Sequence, residues 1–303
     1  MTKNDTTDEQ LHSIGDVARI TGLTPETLRI WERRYGRPVA VRLPSGHRRY
    51  TEDHINWLRK VAEALAHGHR PNKVVKLDEP ALDALLGDVA KDDTTSEEIE
   101  RLLGWLIDFR AMEIRAALEA RWDPKDPARF LSNRLSPFLR AIGRGWTEGK
   151  VEIRHEHFAT ELVIDLLRRL RAGFPPAKKG AAVLLTTLEG ERHGIGLQMA
   201  ALLCAARGIP FHLLGVDTPD SDIALAAEEL EDVRVVGVSV SLGSGGVETD
   251  RRLAALRSKI PTDIRIIVGG EGARGVRRGP RGVEYVEDFE SWEKALADLS
   301  KAA

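Results

Sequence analysis

The segment AAVLLTTLEGERHGIGLQMAALLCAARG, residues 181–208, decides the fold class of the C-terminal part of this chain. Its first part, AAVLLTTL, is an apolar run typical of a buried strand, and its last part, LQMAALLCAARG, has the pattern of an apolar helix. Further candidate strands follow, with helical stretches between them: PFHLLG, VRVVGVSVS, IRIIVGG and VEYVE. This alternation predicts an α/β Rossmann-like (flavodoxin-like) domain with a doubly wound parallel sheet.

The loop EGERHGIG, Glu189 to Gly196, follows the first strand, at the edge of the sheet where doubly wound folds bind ligands. Ser239, Ser241 and the pair Gly269-Gly270 follow later strands and should reach the same edge. A nucleotide-phosphate loop of the G-x-G-x-x-G kind is not predicted, because charged residues stand where small ones are needed.

His193 allows two interpretations. A lone loop histidine is most often solvated, and no second histidine or carboxylate has the helix-type spacing to it that would build a metal site from protein ligands alone. A histidine can also be the single axial ligand of a metal that a macrocycle already holds, while a carboxylate orients its other nitrogen. Glu191 is suitably placed for that second role.

The composition is that of a globular protein, with 42% hydrophobic and 30% charged residues in 303, enough for two or three domains. No apolar run approaches the roughly 18–20 residues of a membrane span. The N-terminus MTKNDTTDEQ lacks the pattern of a secretory signal. The single cysteine, Cys204, excludes a disulfide framework and a cysteine-based zinc cluster. A cytoplasmic protein with no membrane partner is expected.

The N-terminal part predicts a winged helix-turn-helix. SIGDVARITG and TPETLRIWERRYG read as two short helices around a tight turn, and RPVAVRLPSGHRRY reads as two short strands around a Pro-Ser-Gly turn. From Arg29 to Lys60 nine basic residues stand against three acidic ones, in a chain whose total charge is −2. Such local charge indicates a polyanionic partner, although many charge runs are only a solvated surface. The candidate DNA-binding residues are Thr27, Arg29, Arg33, Arg34, Tyr35, His47, Arg48, Arg49 and Tyr50.

The middle of the chain predicts a four-helix bundle, from the amphipathic patterns EEIERLLGWLID, RAMEIRAALEARW, PARFLSNRLSPFLRAIGRGW and EIRHEHFATELVIDLLRRLRAG. In the last of these, Ile153 and Glu156 lie on the face that becomes apolar one turn later, with His157 beside it. That end of the bundle is expected either to line a cavity or an interface, or to be exposed.

The predicted domain boundaries follow from these segments. They are 1–75 for the winged helix-turn-helix, 76–95 for a linker with at most one helical turn, 96–175 for the bundle and 176–303 for the α/β domain.

The N-terminal motifs TLRIWERRYG and SGHRRYT resemble the MerR family of transcription regulators. The resemblance implies binding to double-stranded operator DNA as a homo-oligomer, either a dimer or a tetramer.

The loop residues from Glu191 to Gly196 resemble the cobalamin-binding signature, in which an acid and a histidine precede a glycine at fixed spacing. Ser239 and Gly269-Gly270 follow at about the family's intervals. The resemblance implies that His193 displaces the cofactor's own base from cobalt, and that the base tail passes beside the serine and the glycine pair. Ser241 departs from the family, which usually has an apolar residue there.

Trp146, with Glu156-His157 after nine intervening residues, is similar to the adenosyl-sensing cap of CarH-type cobalamin photoreceptors. The resemblance implies an adenosylcobalamin-dependent repressor, not an enzyme, that binds DNA as a tetramer in the dark and releases it after light cleaves the cobalt–carbon bond. The cofactor-binding residues expected are Trp146, Ile153, Glu156, His157, Glu191, His193, Gly196, Ser239, Ser241, Gly269 and Gly270, with His193 as the cobalt ligand.

Thr147 stands where this class commonly has a histidine that ligates cobalt after photolysis. Either His155 or His157 replaces it, or the photoproduct keeps water. Three alternatives therefore stay open: a regulator that senses cobalamin or another tetrapyrrole without lasting light capture, a regulator that keeps the fold but binds no cobalamin, and a corrinoid enzyme module. The DNA-binding segment, and the absence of a substrate-bearing barrel from the sequence, speak against the last.

Overall fold

The computed structural model describes residues 11–21, 23–66, 71–89, 97–241, 247–273 and 279–299. These residues form parts of two compact units, 1–94 with 144–153, and 95–143 with 154–303. The segment 144–153 thus packs in the N-terminal unit, although both of its neighbours along the chain belong to the other one.

The N-terminal unit contains a winged helix-turn-helix, as predicted. Its elements are β1 His12–Ser13, α1 Ile14–Thr21, α2 Pro25–Tyr35, β2 Val41–Arg42, β3 Arg48–Tyr50, α3 Glu52–Ala66, α4 Pro71–Val74 and α5 Glu79–Val89. The strands form an antiparallel sheet in the order β1-β3-β2, in which His12 pairs with Tyr50 and Val41 with Arg49. The wing strands β2 and β3 were predicted, whereas β1 was not.

Helix α2 begins where the sequence indicates because its first turn is capped. Oγ1 of Thr24 accepts a hydrogen bond from the N–H of Thr27 at 3.1 Å, and Pro25 follows at a position that needs no N–H donor. Leu28 and Trp31 are buried one turn apart. The helix therefore fixes one face in the core and leaves the opposite face, with Arg29, exposed.

The segment expected to be a linker contains α5 instead, which corrects that prediction. Leu82 of α5 is fully buried in the same apolar cluster as Leu58 and Val61 of α3. Lys60 of α3 also pairs with Asp83 at 2.7 Å. Packing against α3 stabilises a helix whose own sequence pattern is weak.

The helices of the middle segment are α6 Glu97–Ile107, α7 Ala111–Glu119, α8 Pro127–Phe130, a π-helical turn Leu131–Leu135, α9 Ser136–Thr147 and α10 Ile153–Ala172. They correspond to the four predicted, the third being α8, the π turn and α9 in succession. Within the second unit, ion pairs such as Arg169–Glu119 at 2.6 Å connect them. Among the described helices, none combines the length and apolar character needed to cross a bilayer.

The C-terminal part is the predicted α/β domain. It contains β4 Ala182–Leu188, α11 Ile195–Ala206, β5 Phe211–Thr218, α12 Asp220–Glu229, β6 Val233–Ser239, α13 Val247–Lys259, β7 Arg265–Gly269, β8 Val283–Tyr285 and α14 Phe289–Ala295. The strands are all parallel, in the order β5-β4-β6-β7-β8. Every residue of β4 is buried, which explains why the strand is mostly apolar and lacks an alternating polar face. The order reverses at β4, so the loop after β4 lies at the switch point.

Cys204 on α11 is fully buried, and burial raises the pKa of its thiol to about 12. Because the thiolate is the reactive form, we expect iodoacetamide at about pH 8 to leave the folded chain unmodified and to alkylate it once denaturant is added. The mass of the intact protein measures both outcomes. Equal alkylation rates with and without denaturant would contradict the prediction.

Candidate functional site

The loop after β4 holds His193 against Glu191. Nδ1 of His193 lies 2.7 Å from Oε1 of Glu191, and the backbone N–H of His193 donates to the same oxygen at 2.8 Å. Glu191 is 3% exposed, whereas the His193 side chain is 64% exposed. Since the carboxylate engages Nδ1, Nε2 is the ring nitrogen that could accept a ligand.

Ser241, just beyond β6, completes this arrangement. Its backbone N–H donates to Oε2 of Glu191 at 2.9 Å, and its Oγ lies 3.2 Å from Nδ1 of His193. The two oxygens of the buried Glu191 carboxylate thus have different partners: one contacts His193, and the other accepts from the backbone at the end of β6. We call Glu191, His193 and Ser241 the histidine network.

The surroundings of His193 raise the basicity of its ring. The hydrogen bond to Glu191 raises the pKa of His193 above its ordinary value, and the charges of Glu191 and Glu156 act in the same direction, against a smaller opposing effect of burial. Glu156 lies in the first turn of α10. Its charge therefore reaches the loop histidine from the helical segment.

Thr187 and Asp217 form hydrogen bonds with the loop after β4, and neither residue was predicted from the sequence. Oγ1 of Thr187 donates to the carbonyl of Glu191 at 2.7 Å, and the N–H of Asp217 donates to that carbonyl at 2.9 Å. Oδ1 of Asp217 accepts from the N–H of Gly190 at 2.6 Å. Asp217 has a φ of 55°, a conformation that aspartate tolerates better than most residues. An acid directly before the end of an edge strand was the only signal in the sequence.

The predicted serine and glycines meet at this edge. Ser239 pairs in register with Gly269, and a Cβ added to Gly196 would lie 2.3 Å from Oγ of Ser239. Gly270 has a φ of 107°, and a Cβ there would lie 2.3 Å from the carbonyl oxygen of Val240. At Gly270 the close approach of backbone and the positive φ require glycine, whereas at Gly196 the absent Cβ leaves room for the hydroxyl of Ser239.

The described residues contain no group of three or more His, Cys, Asp or Glu side chains arranged to hold a metal ion. A metal bound by protein ligands alone is therefore not built into that part of the chain. The histidine network suits a different case, a single nitrogen ligand that is fixed and oriented for a metal already held in a ring.

The predicted cap residues divide between the two units. Trp146 and Ile153 belong to the N-terminal unit, and Glu156 and His157 to the other. His157 is exposed, whereas His155 is 3% exposed and its ring lies 5.0 Å from that of Phe109. His157 is thus the more accessible of the two histidines considered in place of Thr147.

Thr147 is buried and its hydroxyl is occupied. Oγ1 donates to Oε2 of Glu63 on α3 at 2.7 Å. The guanidinium carbon of Arg59, one turn earlier on α3, lies 5.2 Å from the ring centroid of Trp146. Neither α3 residue was singled out from the sequence, because nothing in their spacing connects them with residues more than eighty positions away.

The candidate DNA-binding residues differ in exposure. Arg29, Arg33, Arg34 and His47 are exposed; Thr27, Tyr35, Arg48 and Arg49 are half-buried; and Tyr50 is fully buried. Nε of Arg48 donates to Oε2 of Glu32 at 2.6 Å, which raises the pKa of Arg48 further. The exposed arginines of α2 and the wing histidine are therefore the most accessible side chains of this set, whereas Arg48 is bonded to Glu32 and Tyr50 is buried in the core of the unit.

Comparison with known proteins gives matches in three parts of the chain. Residues 12–79 match the MerR HTH family regulatory protein, and residues 98–171 and 181–290 match two models of a B12 binding domain. The chain is 26% identical to the HTH-type transcriptional repressor CarH of Myxococcus xanthus, over 88% of this chain and 91% of that protein. It is 27% identical to the repressor CarA of the same organism, over 91% and 93%. The dimethylamine corrinoid protein 2 of Methanosarcina mazei is 24% identical over 59% of this chain and 86% of its own length.

Proposed function

We propose that this chain, a MerR-type transcription regulator that binds cobalamin, is a light-responsive repressor that uses adenosylcobalamin. In the dark it binds operator DNA as a homo-oligomer, a dimer or a tetramer, and light releases it. The histidine network is the observation that carries the proposal, because it presents one oriented nitrogen beside a MerR-type module on the same chain. Ligand-controlled assembly amplifies the response, since loss of the oligomer removes the avidity for DNA.

The residues at the sheet edge fit this cofactor. Nε2 of His193 would ligate cobalt, and the buried carboxylate of Glu191 would hold the ring in the tautomer that ligation needs. Ser239 and Gly196, with the pair Gly269-Gly270, would flank the displaced base tail. When bound, adenosylcobalamin supplies a cobalt–carbon bond that light breaks.

The cap residues Trp146, Ile153, Glu156 and His157 would contact the adenosyl group. The charge of Glu156 contributes to the raised pKa of His193, which supports its place near the ligand. A carboxylate there offers acceptors to the hydroxyl and amino groups of an adenosyl moiety.

The exposed basic face of α2 would bind DNA. Arg29, Arg33 and Arg34 present guanidinium groups for phosphates and base edges, with Thr27 and Tyr35 beside them. His47 and Arg49 would contact phosphates from the wing, while Arg48 and Tyr50 keep the wing in position. We accordingly assign the chain no enzymatic activity of its own and expect it in the cytoplasm.

A second candidate function is cobalamin sensing without lasting light capture. The observation that favours it is Thr147, which is buried and bound to Glu63 at the position where the class commonly has a cobalt-ligating histidine. In that case the DNA affinity depends on cobalamin but is the same in darkness and light.

Size-exclusion chromatography with adenosylcobalamin, in darkness and after green light, distinguishes these functions. We expect the cofactor to co-elute in the dark with an oligomer that also retains a DNA duplex selected by the chain from a random pool, and we expect a smaller species after light. Co-elution with no change of size would favour the plain sensor. No co-elution would overturn both functions.

A further inference from the structure

We propose that Arg59 and Glu63 of α3 form a docking surface for the segment Arg144–Ile153, and that this contact transmits the state of the His193 site to the DNA-binding helix. The segment contains the end of α9 and the loop to α10, and we call it the turn. The proposal rests on the proposed function and assigns its regulation to residues that no cobalamin motif contains. We call Arg59, Glu63, Trp146 and Thr147 the docking contact.

The first half of the docking contact is a cation on an aromatic ring. The guanidinium carbon of Arg59 lies 5.2 Å from the ring centroid of Trp146. Burial lowers the pKa of Arg59, and its Nε is buried without a hydrogen-bond partner among the described residues. A desolvated guanidinium gains more from an aromatic face than a hydrated one does. Losing the ring would therefore leave Arg59 in an unfavourable environment.

The second half is a buried hydrogen bond. Oγ1 of Thr147, which is 8% exposed, donates to Oε2 of Glu63 at 2.7 Å. Burial raises the pKa of Glu63, while the bond to Thr147 and the charge of Arg144 oppose that effect. A buried carboxylate needs such partners, because removing one leaves it without compensation for its lost hydration. The threonine at position 147 thus serves the docking contact.

The docking contact lies between the ligand site and the DNA-binding helix along the chain. On one side the turn leads directly into α10, whose first turn carries Glu156, a residue that the proposed function assigns to the ligand site. On the other side α3 buries Ile55 and Leu58 in the same cluster as Leu28 and Trp31 of α2. A ligand that displaces the start of α10 would therefore move the turn. Movement of the turn would change its contact with α3, the helix that packs against α2.

Two arrangements of this turn, docked and undocked, are sufficient for a switch. The docked arrangement includes these two specific contacts, so a ligand that weakens them shifts the populations toward the undocked arrangement. Both contacts involve α3 residues one turn apart, which makes them form and break together.

Amide hydrogen exchange of the full chain, with and without adenosylcobalamin in the dark, tests the proposal. In the wild type we expect cobalamin to change exchange in residues 144–153 and also in α3. In Thr147→Val, which keeps the shape but lacks the hydroxyl, we expect exchange in 144–153 to rise about tenfold. The cobalamin-dependent change in α3 should disappear, while the absorption spectrum of the bound cofactor stays that of the wild type.

Matched variants separate the docking contact from general destabilisation. Arg59→Met removes the cation that lies on the Trp146 ring, and it should likewise abolish the cobalamin-dependent change of exchange in α3. Thr147→Ser keeps the hydroxyl and should behave as the wild type. Lys60→Gln changes the same helix at a residue that pairs with Asp83, so its response should be unaltered. A wild-type response of α3 in both Thr147→Val and Arg59→Met would overturn the docking contact. Failure of the wild type to take up cobalamin would overturn the proposed function, and the docking proposal with it.

Discussion

The variant His193→Ala is expected to lose the absorption spectrum of histidine-ligated cobalamin and to bind adenosylcobalamin at least about tenfold more weakly. His193 offers Nε2 as a ligand while its Nδ1 is fixed by Glu191 at 2.7 Å. Alanine removes both the ligand and the ring that the buried carboxylate of Glu191 orients. Absorption spectroscopy and equilibrium dialysis measure the two effects.

Two comparisons make the result specific. Glu191→Gln keeps an amide oxygen for the ring but removes the charge that raises the pKa of His193, so we expect a smaller loss than for alanine. His212→Ala is the matched control, because His212 is also bonded to a carboxylate, Asp232 at 3.1 Å, but lies at the beginning of β5. An unchanged cobalamin spectrum in His193→Ala would remove this residue from the site, and an equal loss in His212→Ala would show that the effect is not local.

The histidine network could be predicted only in part from the sequence. The pairing of Glu191 with His193 follows from their spacing in one loop. The contribution of Ser241 does not, because its N–H meets Glu191 only after β6 has been placed beside β4. The family usually has an apolar residue at position 241. Here the hydroxyl of Ser241 lies near Nδ1 of His193, a neighbour that only the fold brings to it.

The strands of the sheet were predictable because each is a short run rich in apolar residues and bounded by turn residues, although β5 and β8 are only partly buried. Helix α5 was not, because its apolar positions are interrupted by acids and its stability comes from packing on α3. Tyr50 illustrates the same limit at a single residue. Its basic neighbours indicated a surface position, but pairing of β3 with β1 turns its ring into the core.

Thr147 shows what a motif alone leaves undetermined. The sequence identified it as an exception to the histidine of its class and allowed several upper ligands. In the structure its hydroxyl is bonded to a carboxylate on α3. The change from histidine to threonine therefore has a structural counterpart in Glu63, a residue that is not part of any cobalamin signature.

The variant Gly270→Ala is expected to destabilise the α/β domain by about 2–4 kcal/mol, whereas Gly269→Ala should cost much less. Gly270 has a φ of 107°, and its added Cβ would lie 2.3 Å from the carbonyl oxygen of Val240, which is backbone and cannot turn away. At Gly269 the nearest atom would be Cγ2 of Val286 at 3.0 Å, a side-chain methyl that can shift by a few tenths of an ångström.

The two alanine variants also separate an effect on folding from an effect on cofactor binding. Both glycines are proposed to flank the base tail, but only Gly270→Ala is expected to destabilise the domain strongly. Thermal unfolding of the cofactor-free chain should show a large decrease of Tm for Gly270→Ala and a small one for Gly269→Ala. If Gly269→Ala folds normally but binds cobalamin more weakly, the base tail passes beside the backbone of residue 269, and glycine there serves cofactor binding. If both variants lose Tm equally, the strained geometry at Gly270 is not what requires glycine there. If Gly269→Ala folds and binds like the wild type, the proposed path of the tail beside position 269 is wrong, because a methyl group on that backbone would stand in its way.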